Sequence, residues 1–321
     1  MTNIISQELQ PRQSLWDFDL NEKLDAVVSI KATIPNDAFT AEILGTERQG
    51  HGAVIAESGL IATIGYLVTE ADSIWIQGNN GQTVPGDLLG YDYESGFGLI
   101  QPLGTLGIKP LRLGSVADLA EGASVILAGF GGAEQSITSK VAAKAEFVGY
   151  WEYIVEQAIY TMPAHPNWGG AALIGPDGKL YGIGSLYTQE IPGQAPGAEG
   201  NMVVPIDLLV AIQDELLQYG QALKPARPWL GMFAAESEGS LVIAGVYEEA
   251  PAAGADLRAG DEIVSVDGDT PHSLGDLFRC IWSIGSAGVM IPMKIRREGQ
   301  LIQVHVRSSD RRDHWKSPNL H

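Results

Sequence analysis

The residues of this chain able to do chemistry are few and scattered. His51 follows a glycine in "GHGAVIAESGLIAT", and His165 stands ahead of "NWGG". Ser95 and Ser185 lie next to glycines, and Cys280 is the single cysteine. Two neighbouring histidines suit a transition metal, but no third ligand stands at a suitable spacing, so loop histidines open to solvent are the simpler expectation. Neither serine sits in a strained nucleophile turn, and both read as ordinary strand or turn residues. Cys280 falls in a predicted helix, where a small apolar role is expected. The stretch "HPNWGGAALIGPDGKLYGIG" (165–184) has the form of a small-residue turn, a strand, an Asp-Gly hairpin and a second strand. Trp168 in that turn either plugs a pocket or anchors a partner.

The elements that must position these groups are mainly β. The chain has 321 residues, 45% of them hydrophobic, with 39 glycines, which suits a turn-rich β protein of two domains. Short apolar runs broken by glycine, spaced roughly 8–12 residues apart, continue to about residue 187 and predict a barrel or sandwich. The segment "GYWEYIVEQAIY" places aromatics at strand spacing, and sheet-face packing is expected of them. "PIDLLVAIQDELLQYG" has helical spacing, a proline in its first turn and a terminal glycine, and so predicts one helix. "QALKPARPW" reads as a linker. Beyond it come strands, a short helix at Pro251–Ala255, a longer one at Leu274–Ile284 and a final hairpin. The tail "RRDHWKSPNLH" reads as loose.

A net charge of −19 repels phosphate backbones and anionic membranes, so no nucleic-acid partner is expected. No apolar run reaches the ~18 residues of a membrane span, so no insertion is expected either. One cysteine excludes an intrachain disulfide. The N-terminus lacks the basic start and apolar core of a secretory leader, so a cytoplasmic location is expected.

"APAAGADLRAGDEIVSVDGDT" follows the pattern L-x-x-G-D-x-I-x-x-V-(D/N)-G nearly letter for letter, and resembles the PDZ domain of the HtrA/Deg family. The resemblance places Trp229, Leu230, Gly231 and Met232 at the carboxylate-binding loop. A glycine turn can aim consecutive N–H groups at a peptide's C-terminal carboxylate, and the next strand can pair with the incoming peptide. Leu277 and Ile281, one helical turn apart, either face that groove or are core residues.

With that domain recognised, residues 20–222 resemble the trypsin-like domain of the same family. "GHGAVIAESGLIAT" matches G-S-G-x-I-x-x-x-G-x-I-x-T, "DYESGFGLIQP" matches D-x-x-x-D-L-A-L-(L/I), and "NMVVPIDLL" matches G-F-A-I-P-I-D. The implied organisation is an N-terminal extension (1–19), a trypsin-like double β-barrel (20–222), a PDZ domain (226–310) and a tail (311–321). The resemblance puts Tyr66 at the histidine position of the triad, Gly96 at the aspartate, Gly169 at the serine and Asn167 at an oxyanion glycine. A triad needs a hydroxyl nucleophile, an imidazole base and an orienting carboxylate, and none of the three side chains is present. The expectation is therefore no enzyme but a pseudoprotease without cofactor or metal. It would bind a protein partner or peptide C-terminus through its PDZ domain, as scaffold, chaperone or assembly factor, and form a homo- or hetero-oligomer. The alternative is a hydrolase or metal-dependent enzyme using non-standard residues in the vestigial cleft.

Overall fold

The computed structural model describes residues 5–316. The remarks on the first four residues and the last five therefore lie outside the described residues. Within the described part of the tail, residues 311–314 form a 3₁₀ turn capped by Asp310 rather than a loose end.

A short helix, Leu20–Asp25, is capped by the Asp19 carboxylate and leads into the first barrel. That barrel closes six strands, β1 (Val27–Thr33), β2 (Glu47–Val54), β3 (Ile61–Ile64), β4 (Ser73–Gln77), β5 (Thr83–Tyr91) and β6 (Phe97–Pro102), in the order β1-β2-β3-β6-β5-β4. β4, "SIWIQ", alternates exposed and buried, as a strand with one face on a core must. The second barrel closes β7 (Ser124–Ala128), β8 (Ser136–Gly149), β9 (Tyr153–Met162), β10 (Ala172–Ile174), β11 (Leu180–Thr188) and β12 (Gly200–Pro205), in the order β10-β11-β12-β9-β8-β7. The Asp-Gly hairpin forms as its sequence implies. Gly178 takes φ +74°, a left-handed conformation that glycine adopts without strain, and the Gly175 N–H closes the turn on the Lys179 carbonyl.

The expected single helix after β12 is instead two, Ile206–Val210 and Gln213–Tyr219. Ile212 between them leaves the helical region at φ −126°, which breaks the hydrogen-bond ladder. Gly220, left-handed at φ 72°, ends the second helix as predicted.

The last five strands, β13 (Met232–Ser237), β14 (Ser240–Val246), β15 (Glu262–Val266), β16 (Met290–Arg297) and β17 (Gln300–Arg307), form one antiparallel sheet in sequential order. Two helices accompany it, Pro251–Gly254 and Leu274–Ser283, the latter capped by the Ser273 hydroxyl. The mainly β, double-barrel-plus-PDZ class expected from the sequence is the class observed.

By packing, the chain divides into two units. One holds the described residues up to Glu146, Glu156–Ala222 and Lys316, and contains both barrels. The other holds Leu223–Trp315 together with a second, separate segment, Phe147–Val155. From the sequence, that segment reads as part of the barrel run. In the structure Ile154 belongs to the apolar cluster of Leu230, Met232, Leu277, Phe278 and Ile281, and Val148 packs against it.

Candidate functional site

Two sites emerge, one in each unit. In the barrel unit a cleft of about 710 Å³ is lined by Ser29, His51, Tyr66, Phe130, Gln135 and the loop 166–169. It brings together two of the three residues the resemblance placed at triad positions, Tyr66 and Gly169. Tyr66 lies in the 3₁₀ turn after β3, and its hydroxyl donates to the Ser185 carbonyl at 2.8 Å. A Cβ built on Gly169 would stand 3.0 Å from the Tyr66 hydroxyl, so the phenol crowds a side chain at 169. Gly96 adjoins the same turn, its carbonyl accepting from the Gly65 N–H at 2.7 Å.

Burial pushes the Tyr66 phenol well above its ordinary value, against the opposing hydrogen bond of the Trp168 side chain. At neutral pH Tyr66 is a hydrogen-bond donor and not a base. Trp168 thus lies on Tyr66, with its ring against Tyr187 at 5.8 Å. The loop is drawn tightly onto β2. The His51 N–H donates to the Gly169 carbonyl at 2.9 Å, and a Cβ on Gly170 would fall 1.8 Å from the His51 carbonyl oxygen.

The histidines are not solvent-exposed loop residues. His165 is fully buried and His51 largely so, with ring centroids 6.5 Å apart. The Phe130 N–H donates to His51 Nδ1 at 3.1 Å, and the Asn167 N–H to His165 Nδ1 at 2.9 Å. With both Nδ1 atoms accepting, each ring carries its proton on Nε2, and that of His165 donates to the Gln135 carbonyl at 2.9 Å. Burial, then the neighbouring His165, pushes His51 down to about 4, and burial also lowers His165. Both rings stay neutral near pH 7, and neither presents an open lone pair to a metal. Among the described residues no group of three or more His, Cys, Asp or Glu could hold a metal ion.

The remaining candidates are buried or half-buried. Ser185 is buried on β11 at a bulge in its pairing with β12. Ser95 is buried in the turn from Asp92 to Gly96. Cys280 is half-buried in its helix, and burial raises its thiol. Ser29, opposite His51 in the β1–β2 ladder, also lines the cleft. In β1 it is in phase with the exposed Lys31 and Thr33 and yet is buried, so the sequence offers no signal for it.

In the second unit the loop at 229–232 does what its glycine implies. Gly231 takes φ +72°, and the N–H groups of Leu230, Gly231 and Met232 converge on one point. Trp229 takes no part in that convergence. It bridges Ser309 through its backbone and packs its ring on Tyr247 and His314, which places it as support for the loop. Leu277 and Ile281 are fully buried in the cluster with Met232 and Ile154.

The point of convergence holds a side chain. The Glu152 carboxylate accepts from Leu230 at 3.0 Å, Gly231 at 2.8 Å and Met232 at 3.1 Å. Burial pushes its acid up to about 7, while those three N–H groups and the Arg311 charge pull it down. Sequence reasoning missed Glu152, because one acidic residue among aromatics has no pattern that separates it from a solvated turn.

Comparison with known proteins finds one domain in each unit, although the first match runs through residues 147–155 as well. Residues 50–183 match the trypsin-like peptidase domain, and residues 228–307 match the PDZ domain. The chain carries a trypsin-like peptidase domain followed by a PDZ domain. That is the HtrA/DegP arrangement. A probable periplasmic serine endoprotease DegP-like of Halomonas elongata is 28% identical over 281 residues, covering 83% of this chain and 57% of that protein. Its namesake in Pseudomonas fluorescens is 26% identical, covering 78% and 54%. The chain thus spans little more than half the length of these relatives. Among solved structures, HtrA-type protease AlgW with decapeptide superposes with a TM-score of 0.53 at 19% identity, covering 93% of this chain and 99% of that one. The serine endoprotease of Yersinia pestis gives 0.52. At these identities the structures speak for the fold alone.

Two expectations are corrected by these comparisons. The relatives are named serine endoproteases, so the expectation that the chain is no enzyme, a pseudoprotease, is overturned. Missing side chains at three matched positions speak to one catalytic arrangement and not to the class of the protein. The relatives are also named periplasmic, which overturns the cytoplasmic expectation. An N-terminal stretch is a poor guide to compartment in a chain that spans only part of each relative. No helix among the described residues is long and apolar enough to cross a membrane.

Proposed function

We propose that this is a polypeptide-binding protein of HtrA type that works in the periplasm, takes up protein C-termini through its PDZ domain and serves as chaperone, scaffold or assembly factor. The observation that supports this best is the convergence of the Leu230, Gly231 and Met232 N–H groups on a single carboxylate at 2.8–3.1 Å. Three aligned backbone donors recognise any carboxylate, and β13 beside them can add a peptide strand. The apolar wall of Met232, Leu277 and Ile281 favours an apolar last residue. The net charge of −19 disfavours strongly acidic ligands, more so at low salt. In the cleft, Tyr66, Gly96 and Gly169 hold the triad positions as packing and hydrogen-bonding residues. The test is titration of the full chain with peptides ending in an apolar residue, as free acids and as C-terminal amides. Selective binding of the free acids is expected, and equal affinity for both forms overturns the reading.

A second reading is hydrolysis in the barrel cleft, favoured by the names of the relatives. It would draw on groups outside the three triad positions, such as Ser29, which lines the cleft, and Ser185, whose carbonyl bonds Tyr66. A fluorophosphonate probe with mapping of the labelled residue checks it. One labelled serine, with label and casein turnover lost together on its replacement by alanine, would establish it. Neither label nor turnover would remove it.

A further inference from the structure

The PDZ groove is occupied by the chain itself, and the manner of occupation is that of a peptide. Glu152 presents its side-chain carboxylate to all three loop N–H groups, with Leu230 shared between its two oxygens at 3.3 and 3.0 Å. Two residues earlier, the Tyr150 carbonyl accepts from the Ala234 N–H at 3.0 Å, two residues beyond Met232. That two-residue step on both chains is the spacing of strand addition to β13. The Tyr150 ring meets Phe233 of β13 at 5.8 Å. Ile154 supplies an apolar side chain to the cluster of Met232, Leu277, Phe278 and Ile281. At Glu152 the backbone turns left-handed, at φ 62°. A free peptide would end here, whereas this chain must turn away and continue into β9, and a non-glycine residue tolerates that conformation only where surrounding contacts hold it.

We propose that residues 147–155 are a built-in ligand of the PDZ domain, in which the Glu152 side chain stands in for a C-terminal carboxylate and Tyr150 for the residue two before it, so that a peptide C-terminus binds only by displacing this segment. The proposal rests on the reading of the loop as a C-terminus site. Its consequence is competition. A tethered ligand acts at high effective concentration, and the affinity measured for a free peptide is reduced by the fraction of molecules whose groove is open. The groove is therefore gated, and ligands are selected for their ability to outbid Glu152.

The test compares the full-length chain with Glu152→Ala and Glu152→Gln. The probe is a fluorescent peptide of residues 146–151 followed by a terminal valine, as free acid and as amide. The free acid should bind Glu152→Ala about tenfold or more tighter than the parent chain, with the uncharged Glu152→Gln in between and the amide weak throughout. Amide hydrogen exchange reads the segment without any peptide. Leu230, Gly231 and Met232 should be protected in the parent chain and exchange faster in Glu152→Ala, with the barrel amides unchanged. Free-acid binding of equal strength in parent and variants, with unchanged exchange, overturns the built-in ligand and leaves the C-terminus reading standing. Faster exchange in the variant, with no preference for free acid over amide, sinks the C-terminus reading alone. Unchanged exchange with no peptide bound overturns both.

Discussion

The barrel cleft and the loop at 229–232 are both met by a side chain of the protein itself, in opposite ways. In the cleft, Tyr66 and Gly169 stand at positions that resemble part of a triad, and the Tyr66 hydroxyl crowds the space at Gly169. At the loop the N–H groups of Leu230, Gly231 and Met232 converge, and the Glu152 side-chain carboxylate occupies the point they share. The difference follows from what each site is made of. The cleft is lined largely by side chains such as Tyr66 and Trp168, which single substitutions change. The groove's donors are backbone N–H groups, set by one left-handed glycine and the strand after it, and they persist whatever side chains surround them.

The sharpest way to break the comparison is to remove the glycines that each site depends on. Gly170 has φ +81°, and a Cβ there would meet the His51 carbonyl oxygen at 1.8 Å, a backbone atom that cannot swing aside. Gly170→Ala combines left-handed strain with that overlap and should destabilise the barrel unit by about 3 kcal/mol or more. Gly231→Ala, at φ +72° with Ala250 Cβ 2.2 Å away, should cost about as much in the other unit and abolish carboxylate binding. Urea unfolding followed by tryptophan fluorescence measures both. A loss under about 1 kcal/mol in either would mean that its loop adapts, and that the fixed backbone is not what defines the site.

Acidification should separate the two sites by sign. His51 is held down to about 4 by burial and by His165, so the unfolded barrel, with its ordinary histidine, takes up protons first. Barrel stability is full above pH ~6.5 and falls as pH drops toward about 4. Glu152 is held up at about 7 by burial, opposed by the three N–H groups and Arg311, with the Tyr247 phenol also near it. The docked carboxyl therefore binds its proton more tightly than a released one. Docking is firm below pH ~4.5 and loosens as pH rises toward about 7, by at most roughly 3 kcal/mol. Amide exchange at Leu230, Gly231 and Met232 should thus quicken between pH 5 and 8, after correction for intrinsic exchange, while barrel amides grow more protected. Parallel trends in the two units would contradict the assignment of one or the other group.

Much of this was legible in the sequence, and the reasons differ by region. The PDZ loop, its helix and the Asp-Gly hairpin could be read because glycines and apolar spacing encode backbone geometry directly. The assignment of Tyr66, Gly96 and Gly169 to triad positions rests on the resemblance of the glycine-bounded strands around them, and the structure adds that Tyr66 and Gly169 line one cleft. The hydrogen bonds of Tyr66 to Ser185 and of Glu152 to the loop could not. Their partners lie 119 and 78–80 residues away, and no periodicity links side chains across such distances. The burial of His165 was hidden for the same reason, since Asn201 and Gln135, which satisfy it, come from distant strands and turns.

The smallest expected effect concerns whether positions 66 and 169 still act as a pair. Tyr66→Phe removes the bond to the Ser185 carbonyl, and leaving that acceptor short of a partner should cost about 1–2 kcal/mol. Gly169→Ser places a Cβ 3.0 Å from the Tyr66 hydroxyl, tighter than ordinary packing, with its Oγ to accommodate as well, and should cost about 1 kcal/mol. In the double variant the hydroxyl that crowds position 169 is gone. The two costs should then sum to less than their separate values by about 0.5–1 kcal/mol, the signature of residues in contact. A cycle measured by urea unfolding checks this. Full additivity would mean that the serine turns away from the cleft and that the two positions no longer share a site. Gly96→Asp is the control. Its left-handed φ of +84° imposes a strain that has nothing to do with Tyr66, so its cost should add to that of Tyr66→Phe without coupling.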